Sequence, residues 1–244
     1  MSRVALVTGA SSGIGRAAAM RLAKDGMKIF ATGRRADALD SLAIAQPNIL
    51  THSADLTSLG VVGRLLRSAA EAFGADPSVV VLAAGRGLRG GLLSSDPAQW
   101  EELVRVNQLS MMSQMRDSAE FLMTRSAPGQ VADIVIIGST VGRQVSAMNP
   151  VYGATKFAVH SLCESLRQEL CGHNIRVTLI EPGFVKTNFQ QTAGYDEGWF
   201  AALEAESGPF LQPEDVASTL SFVVSQPSHI HLDDIRIRPT RQKA

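Results

Sequence analysis

A short β-branched run, Arg3-Val-Ala-Leu-Val-Thr8, passes directly into Gly9-Ala-Ser-Ser-Gly13-Ile-Gly15 and then into an alanine-rich helical stretch, Arg16 to Asp25. A strand, a glycine-rich turn and a helix in immediate succession leave few folds open to the chain. The arrangement gathers backbone N–H groups and the positive end of a helix dipole at one point, as pyrophosphate-binding turns do. The spacing is Gly-x-x-x-Gly-x-Gly, not the Gly-x-Gly-x-x-Gly of the commoner dinucleotide fingerprint. Glycines also serve ordinary tight turns. The place of these three, after a strand and before a helix, is what argues for a nucleotide.

The alternation continues. A second strand is expected over Met27–Thr32, a third over Asn48–Ser53 and a helix near Ser58–Phe73. Val79 to Ala84 is a continuous apolar run, the pattern of a central parallel strand covered on both faces. Gly85–Gly91 reads as a mobile loop. Ser95-Asp-Pro97 opens a long amphipathic helix to about Met123, with Asn107 in its middle, where an amide is either exposed or employed. Further strands are expected over Val131–Gly138, Asn174–Ile180 and His231–Arg238, with a last helix opened by Gln212-Pro213-Glu-Asp215. The segment 187–211 reads as a lid or pocket wall. No repeat or linker breaks the 244 residues, so a single domain with a doubly wound parallel sheet is expected.

Composition narrows the partners. Lys plus Arg (23) equals Asp plus Glu (23), which gives no reason to expect nucleic acid or an acidic membrane surface. No signal-peptide pattern or long apolar run is present, so a soluble cytoplasmic protein is expected. Cys163 and Cys171 fall eight residues apart on one expected helix. They are roughly 12 Å apart at ~1.5 Å per residue, too far for a disulfide within it. The five His residues are scattered and no Cys/His cluster has metal-ligand spacing, so no metal is expected.

Two further features carry chemistry. At the end of the second strand, an acidic residue would select NAD by binding ribose hydroxyls. Here Gly33 leaves room, and Arg34 and Arg35 offer guanidinium forks suited to a 2′-phosphate, though two arginines also suit a solvated helix start. Arginine at a helix N-terminus opposes the macrodipole, which favours a functional reason. The second feature is Tyr152-Gly-Ala-Thr-Lys156, with Ser139 upstream at the end of an apolar run. Tyr and Lys four apart share a helix face. A neighbouring ammonium is expected to lower the phenol's pKa toward the range where acid–base catalysis is efficient. Ser139 could hold a substrate oxygen beside it.

Taken together, Thr8-Gly9-Ala-Ser-Ser-Gly13-Ile-Gly15, Asp55, Asn107, Ser139, Tyr152 with Lys156, and Pro182-Gly183 through Thr187 resemble the short-chain dehydrogenase/reductase family over essentially the whole chain. The resemblance implies a Rossmann-type fold with a seven-stranded parallel sheet and a nicotinamide cofactor, here NADP(H). It implies a catalytic set of Asn107, Ser139, Tyr152 and Lys156. In that set Tyr152 protonates the substrate oxygen and Ser139 binds it. Lys156 holds the nicotinamide ribose and depresses the tyrosine pKa, and Asn107 fixes a water. The implied cofactor contacts are Gly9, Ser11, Ser12, Gly13, Ile14, Gly15, Gly33, Arg34, Arg35, Asp55, Leu56, Ala84, Gly85, Tyr152, Lys156, Pro182, Gly183, Val185 and Thr187. Asp55 would take the adenine amino group; the backbone after Pro182 and the Thr187 hydroxyl would take the carboxamide.

One stretch departs from the family. Leu82-Ala83-Ala84-Gly85 stands where Asn-Asn-Ala-Gly is usual, so the loop beside the adenosine is expected to be held differently. The C-terminal stretch and Ala31-Thr-Gly-Arg-Arg35 are most similar to the NADP-dependent 3-hydroxy-acid (serine-type) and clavaldehyde dehydrogenase branch. The expected activity is interconversion of a carbonyl and an alcohol. The alternative is a non-catalytic NADP-binding sensor of the same fold. Nucleotide-sugar epimerases or dehydratases usually need a longer chain. Expected partners are a small-molecule substrate and further copies of the chain, as a dimer or tetramer, paired through the helices Asp96–Met123 and Val151–Cys171. The substrate itself is not legible in the sequence.

Overall fold

The computed structural model of the protein describes residues 2–125 and 130–243. Seven strands form one sheet: β1 (Val4–Val7), β2 (Lys28–Gly33), β3 (Ile49–Ser53), β4 (Pro77–Leu82), β5 (Ala132–Ile137), β6 (Ile175–Pro182) and β7 (Asp234–Ile237). Their order is β3-β2-β1-β4-β5-β6-β7 and every pair is parallel. Side chains alternate between faces with a period of two. Ala5 and Val7 of β1 and Val79 and Val81 of β4 join one core with α1 (Gly13–Lys24), α2 (Ala36–Ala45) and α9 (Pro213–Val224). Leu6, Val80 and Leu82 join the other, under α3 (Val61–Phe73), α5 (Ser110–Arg125) and α6 (Pro150–Leu170). This is the single-domain, Rossmann-like architecture expected, with strand bounds moved by one to three residues at their ends.

The chain winds outward from β1 to β3, then crosses back to β4. The reversal opens a crevice at the carboxyl ends of β1 and β4, the usual ligand position in such sheets.

Two expectations change. The helix expected as one piece from Ser95 is α4 (Trp100–Val104) and α5, joined by a π-helical turn at Arg105–Leu109. Asp96 caps a preceding 3₁₀ turn through the Ala98 N–H. The extra residue of a π turn re-aims its side chains, and such turns cluster at functional sites; Asn107 lies in this one. The loop after β4 is not loose. Arg86 N–H donates to Asn107, Arg89 N–H to the Ala193 carbonyl and Gly90 N–H to that of Met148. On the outer side, Leu109, Met112 and Phe157 are exposed. They lie on the helices that the resemblance assigns to subunit pairing. Among the described residues, no helix is long and apolar enough to cross a membrane.

At the opposite end of the sheet lies a buried charge cluster. Asp133 accepts from Arg3 Nη2 at 2.6 Å and from Arg176 Nε at 2.7 Å. Arg176 also donates to the carbonyls of Gln226, Pro227 and Ile230. Removing one partner leaves buried charge uncompensated. Asp133→Ala is expected to destabilise the protein by ~3–5 kcal/mol in urea denaturation, whereas breaking the exposed Arg116–Glu120 pair leaves the midpoint where it is.

Candidate active site

The glycine-rich turn is built by backbone-on-backbone contact. Gly9 has φ +69°, and a Cβ there would lie 2.8 Å from the Ala84 nitrogen. A Cβ on Gly15 would lie 2.5 Å from the Gly9 carbonyl oxygen. Glycine at both positions lets β1, α1 and the end of β4 close on one another. Thr8 N–H bonds the Val81 carbonyl and Ala10 N–H that of Thr32, so the turn is pinned to both neighbouring strands. Ser12, at the N-cap of α1, makes no side-chain capping bond. The first amides of α1 therefore face the crevice without a side-chain cap, as a phosphate-binding turn requires.

A cavity of about 870 Å³ runs from this turn across the carboxyl ends of the sheet. Every residue expected at the site lines it except Asn107, which stands just behind. The two arginines separate in role. Arg35 Nη2 donates to the Ser11 carbonyl at 2.7 Å and so fastens the turn. Arg34 is exposed, and no hydrogen bond or ion pair of its guanidinium is found among the described residues. Asp55 Oδ1 accepts from Thr57 N–H and hydroxyl, and these bonds, with Arg34 nearby, hold its carboxyl below the usual carboxylate range. The expected departure at Leu82–Gly85 is resolved physically. Leu82 enters the core, Ala83 N–H donates to the Thr8 hydroxyl at 3.2 Å, and the Ala83–Ala84 backbone rests on Gly9.

At the other end, the Ser139 hydroxyl stands beside the Tyr152 phenol as the neighbour that favours its ionised form, and Ser139 Oγ accepts from Val141 N–H at 3.4 Å. Lys156 Nζ stands 5.9 Å from the centre of the Tyr152 ring and donates to the Ile137 carbonyl at 3.0 Å. The expected lowering of the phenol pKa is not what this arrangement gives. Burial pushes Tyr152 well above its ordinary value, with only the Ser139 hydroxyl acting the other way. Burial also lowers Lys156, to about 8. The ammonium is aimed at the β5 carbonyl and is itself starved of solvation, so shared helix spacing does not make it the phenol's dominant neighbour.

Asn107 is buried, and its amide is a brace. Nδ2 donates to the Arg86 carbonyl at 2.8 Å and to the Thr155 hydroxyl at 3.2 Å, and Oδ1 accepts from Arg86 N–H at 2.8 Å. It thereby ties the loop after β4 to α6. The water-holding role implied for it is therefore joined by a structural one.

Several contributors were not singled out from sequence. His160 Nε2 accepts from Ser139 N–H at 3.3 Å, and its ring fills the space where Gly138 and Gly142 lack side chains. Extending the four-residue spacing from Tyr152 and Lys156 by one more turn would have found it. Phe189 packs edge-on against Tyr152 with centroids 5.6 Å apart. Asn149 donates to the Tyr195 hydroxyl, and Tyr195 stacks on Trp199. The Phe189–Tyr152 and Asn149–Tyr195 contacts join residues 37 and 46 positions apart and left no local signal. They belong to the expected lid segment, which is α7 (Phe189–Thr192) and α8 (Glu197–Ser207).

A family model described as short chain dehydrogenase matches residues 3–198. The chain belongs to the short-chain dehydrogenase family. It is 32% identical over 239 residues to an uncharacterized oxidoreductase of Staphylococcus epidermidis, covering 97% of each chain. Among solved structures it is similar to a closed form of serine dehydrogenase complexed with NADP+, at 29% identity and TM-score 0.89, covering 99% of this chain and 96% of that one. It is also similar to a 3-ketoacyl-(acyl-carrier-protein) reductase from Brucella melitensis complexed with NADH. That match has 26% identity and TM-score 0.87, covering 98% of each. Within this short-chain dehydrogenase, Arg34 and the hydroxyl pair line one continuous cavity.

Burial of Lys156 has a consequence for stability. Its folded pKa, about 8, lies below the ordinary 10.5, so the folded state binds this proton less well than the unfolded state does. The penalty is full below pH ~8 and is relieved as pH rises toward ~10.5. Removing the ammonium relieves ~3 kcal/mol, less about 1 kcal/mol for orphaning the Ile137 carbonyl. Lys156→Met is therefore expected to raise the melting temperature of the ligand-free protein at pH 7, with a gain that narrows by pH 9.5 in thermal melts.

Proposed function

We propose that the protein is an NADP(H)-dependent oxidoreductase that interconverts a carbonyl and an alcohol, using Tyr152, Ser139 and Lys156, with Asn107 holding the frame. The observation that carries this reading is the pairing of the buried Tyr152 phenol with the half-buried Ser139 hydroxyl in the cavity that begins at the glycine-rich turn. The cradle at Gly9 and Gly15, the uncapped start of α1 and the free Arg34 fit a 2′-phosphorylated dinucleotide. Gly9–Gly15 would hold its phosphates, Asp55 and Leu56 its adenine side, and Lys156 the ribose near Tyr152. When bound, the nicotinamide supplies or accepts the hydride. The chain's own task is the proton. Tyr152 carries its proton at neutral pH and is placed to donate it to a substrate oxygen, with the bound cofactor's positive charge expected to offset the burial that holds the phenol pKa up. Ser139 Oγ, extended from the end of β5, shares that oxygen and fixes its distance. A binding protein that turns nothing over would have no use for a buried phenol set beside a serine hydroxyl here.

The walls beyond Tyr152 favour an uncharged substrate. Phe189, Tyr195 and Trp199 line them, together with the exposed Val145 and Met148. Three cations close to these walls are already engaged, while Arg86, which lines the cavity, is bonded to the neutral Gln99 amide oxygen. Arg143 is held by Glu181 at 2.6 Å and by Asp234, Lys186 by Glu204 at 2.8 Å, and Arg89 lies against the Trp199 indole. A carboxylate placed among these rings would lose much of its hydration. This separates the site from the 3-hydroxy-acid substrates of the branch it resembles.

Steady-state kinetics test both ends of the site. With NADPH, aldehydes and ketones paired with carboxylate-bearing counterparts, such as an aryl 3-oxo ester and its free acid, are expected to show turnover favouring the neutral member. Tyr152→Phe is expected to lower that turnover by ~10² or more while cofactor binding survives. A Phe variant near wild-type rate removes the proton-donor assignment; a preference for the acid removes only the substrate class. NADPH is expected to exceed NADH by about tenfold in kcat/KM, since one charge-assisted bond is worth ~1.5–3 kcal/mol before screening. Arg34→Ala is expected to erase most of that ratio. Equal efficiency with both cofactors in the wild type would contradict the reading of Arg34.

A further inference from the structure

Val185, Thr187 and Gln190 form a closed circuit of hydrogen bonds at the rim of the cavity, across from the glycine-rich turn. Gln190 Nε2 donates to the Val185 carbonyl at 2.6 Å. Gln190 Oε1 accepts from Thr187 N–H at 3.2 Å and from the Thr187 hydroxyl at 3.3 Å. All three residues line the cavity, and a Cβ on Gly13 would lie 3.3 Å from Thr187 Cγ2.

The backbone explains why these groups face inward. Lys186 N–H donates to the Leu211 carbonyl, and Leu211 N–H to that of Phe184, as in a short parallel bridge. An extended chain alternates its polar groups between two sides. The Val185 carbonyl and Thr187 N–H are therefore turned away from Leu211, toward the cavity. An acceptor beside two donors complements a primary carboxamide, which carries N–H and C=O on one carbon. Gln190 supplies that group from within the chain.

A nicotinamide ring also carries a primary carboxamide, its one neutral hydrogen-bonding substituent. Resting on the nicotinamide-dependent reading above, we infer that Gln190 is an internal competitor for the cofactor. Its side-chain amide holds the subsite that the nicotinamide carboxamide takes, and binding requires its displacement. Such a contact lowers apparent affinity by the fraction of molecules in which the subsite is open. It also links the two ends of the site. Gln190 follows Phe189 on α7, and Phe189 leans on Tyr152. Displacing the Gln190 amide releases one of the anchors of the helix that walls the substrate chamber, the Phe189 N–H bond to the Thr187 hydroxyl being another.

The test is calorimetric titration of wild type, Gln190→Met and Gln190→Ala with two probes. One is NADP+; the other is 2′-phospho-ADP-ribose, which keeps the adenosine, both bridging phosphates and the second ribose but has no nicotinamide. Gln190→Met keeps the length of the side chain and removes only its hydrogen bonds, so a packing defect in the Ala variant does not confuse the result. Both variants are expected to bind NADP+ about five- to tenfold more tightly than wild type, with affinity for 2′-phospho-ADP-ribose unchanged within about twofold. NADP+ affinity that is unchanged or weaker in both variants overturns the inference. So does an equal gain for both probes, which would mark a general loosening of the cavity. Wild type and variants that all bind neither probe contradict the nicotinamide reading itself, a failure distinguishable from that of Gln190 alone.

Discussion

The structure depends on one close approach: the backbone of Gly9 lying against the backbone at Ala83 and Ala84, with Gly15 against Gly9. No side chain fits in either gap. This contact sets how near the first helix comes to the sheet and where its free amides point. It also fixes the end of β4, from which the loop at Gly85–Arg86 departs. A methyl group at either glycine would separate β1, α1 and β4 at the point where strand order reverses. The crevice exists because three backbones can share that space.

From there the site is held by a chain of polar contacts together with the apolar cluster around Tyr152. Thr8 secures Ala83, Asn107 secures Arg86 and Thr155, and His160 secures the amide of Ser139. Each of these side chains reaches from one element to another, so the loop, the π turn and α6 keep a common position. The π turn is the geometric device that places Asn107 inward, just before α5. The Asn107 side chain then bonds a different part of the chain, at Arg86 and Thr155.

Electrostatics at the hydroxyl pair is governed by burial more than by neighbouring charge. Tyr152 and Lys156 share a helix face, yet desolvation is the leading influence on both, moving the phenol up and the ammonium down. The result is a proton donor that keeps its proton. The lysine's charge is tuned to its surroundings and answers to any group that brings polarity into the cavity. Nearby, the same logic keeps Glu181 buried against Arg143, where burial raises the carboxyl and the guanidinium opposes that shift.

The order of strands and helices, the glycine turn, the two arginines and the Ser139–Tyr152–Lys156 set were legible in the sequence because each is written locally: period-two apolar runs, fixed glycine spacing, residues four apart on a helix. The single domain followed from the unbroken alternation. What local pattern cannot carry is contact between distant segments. The different fates of Arg34 and Arg35, one free and one tied to Ser11, depend on where the turn passes the end of β2. The rise of the Tyr152 pKa depends on the walls that bury it, drawn from Leu88, Leu103 and Phe189. The π turn at Asn107 and the grip of Gln190 on Val185 and Thr187 likewise appear only when loop, helix and strand end are brought together. Sequence determined which chemistry was present. Tertiary structure decided which of those groups are free to act, because desolvation and hydrogen-bond partners are set by neighbours that lie far away along the chain.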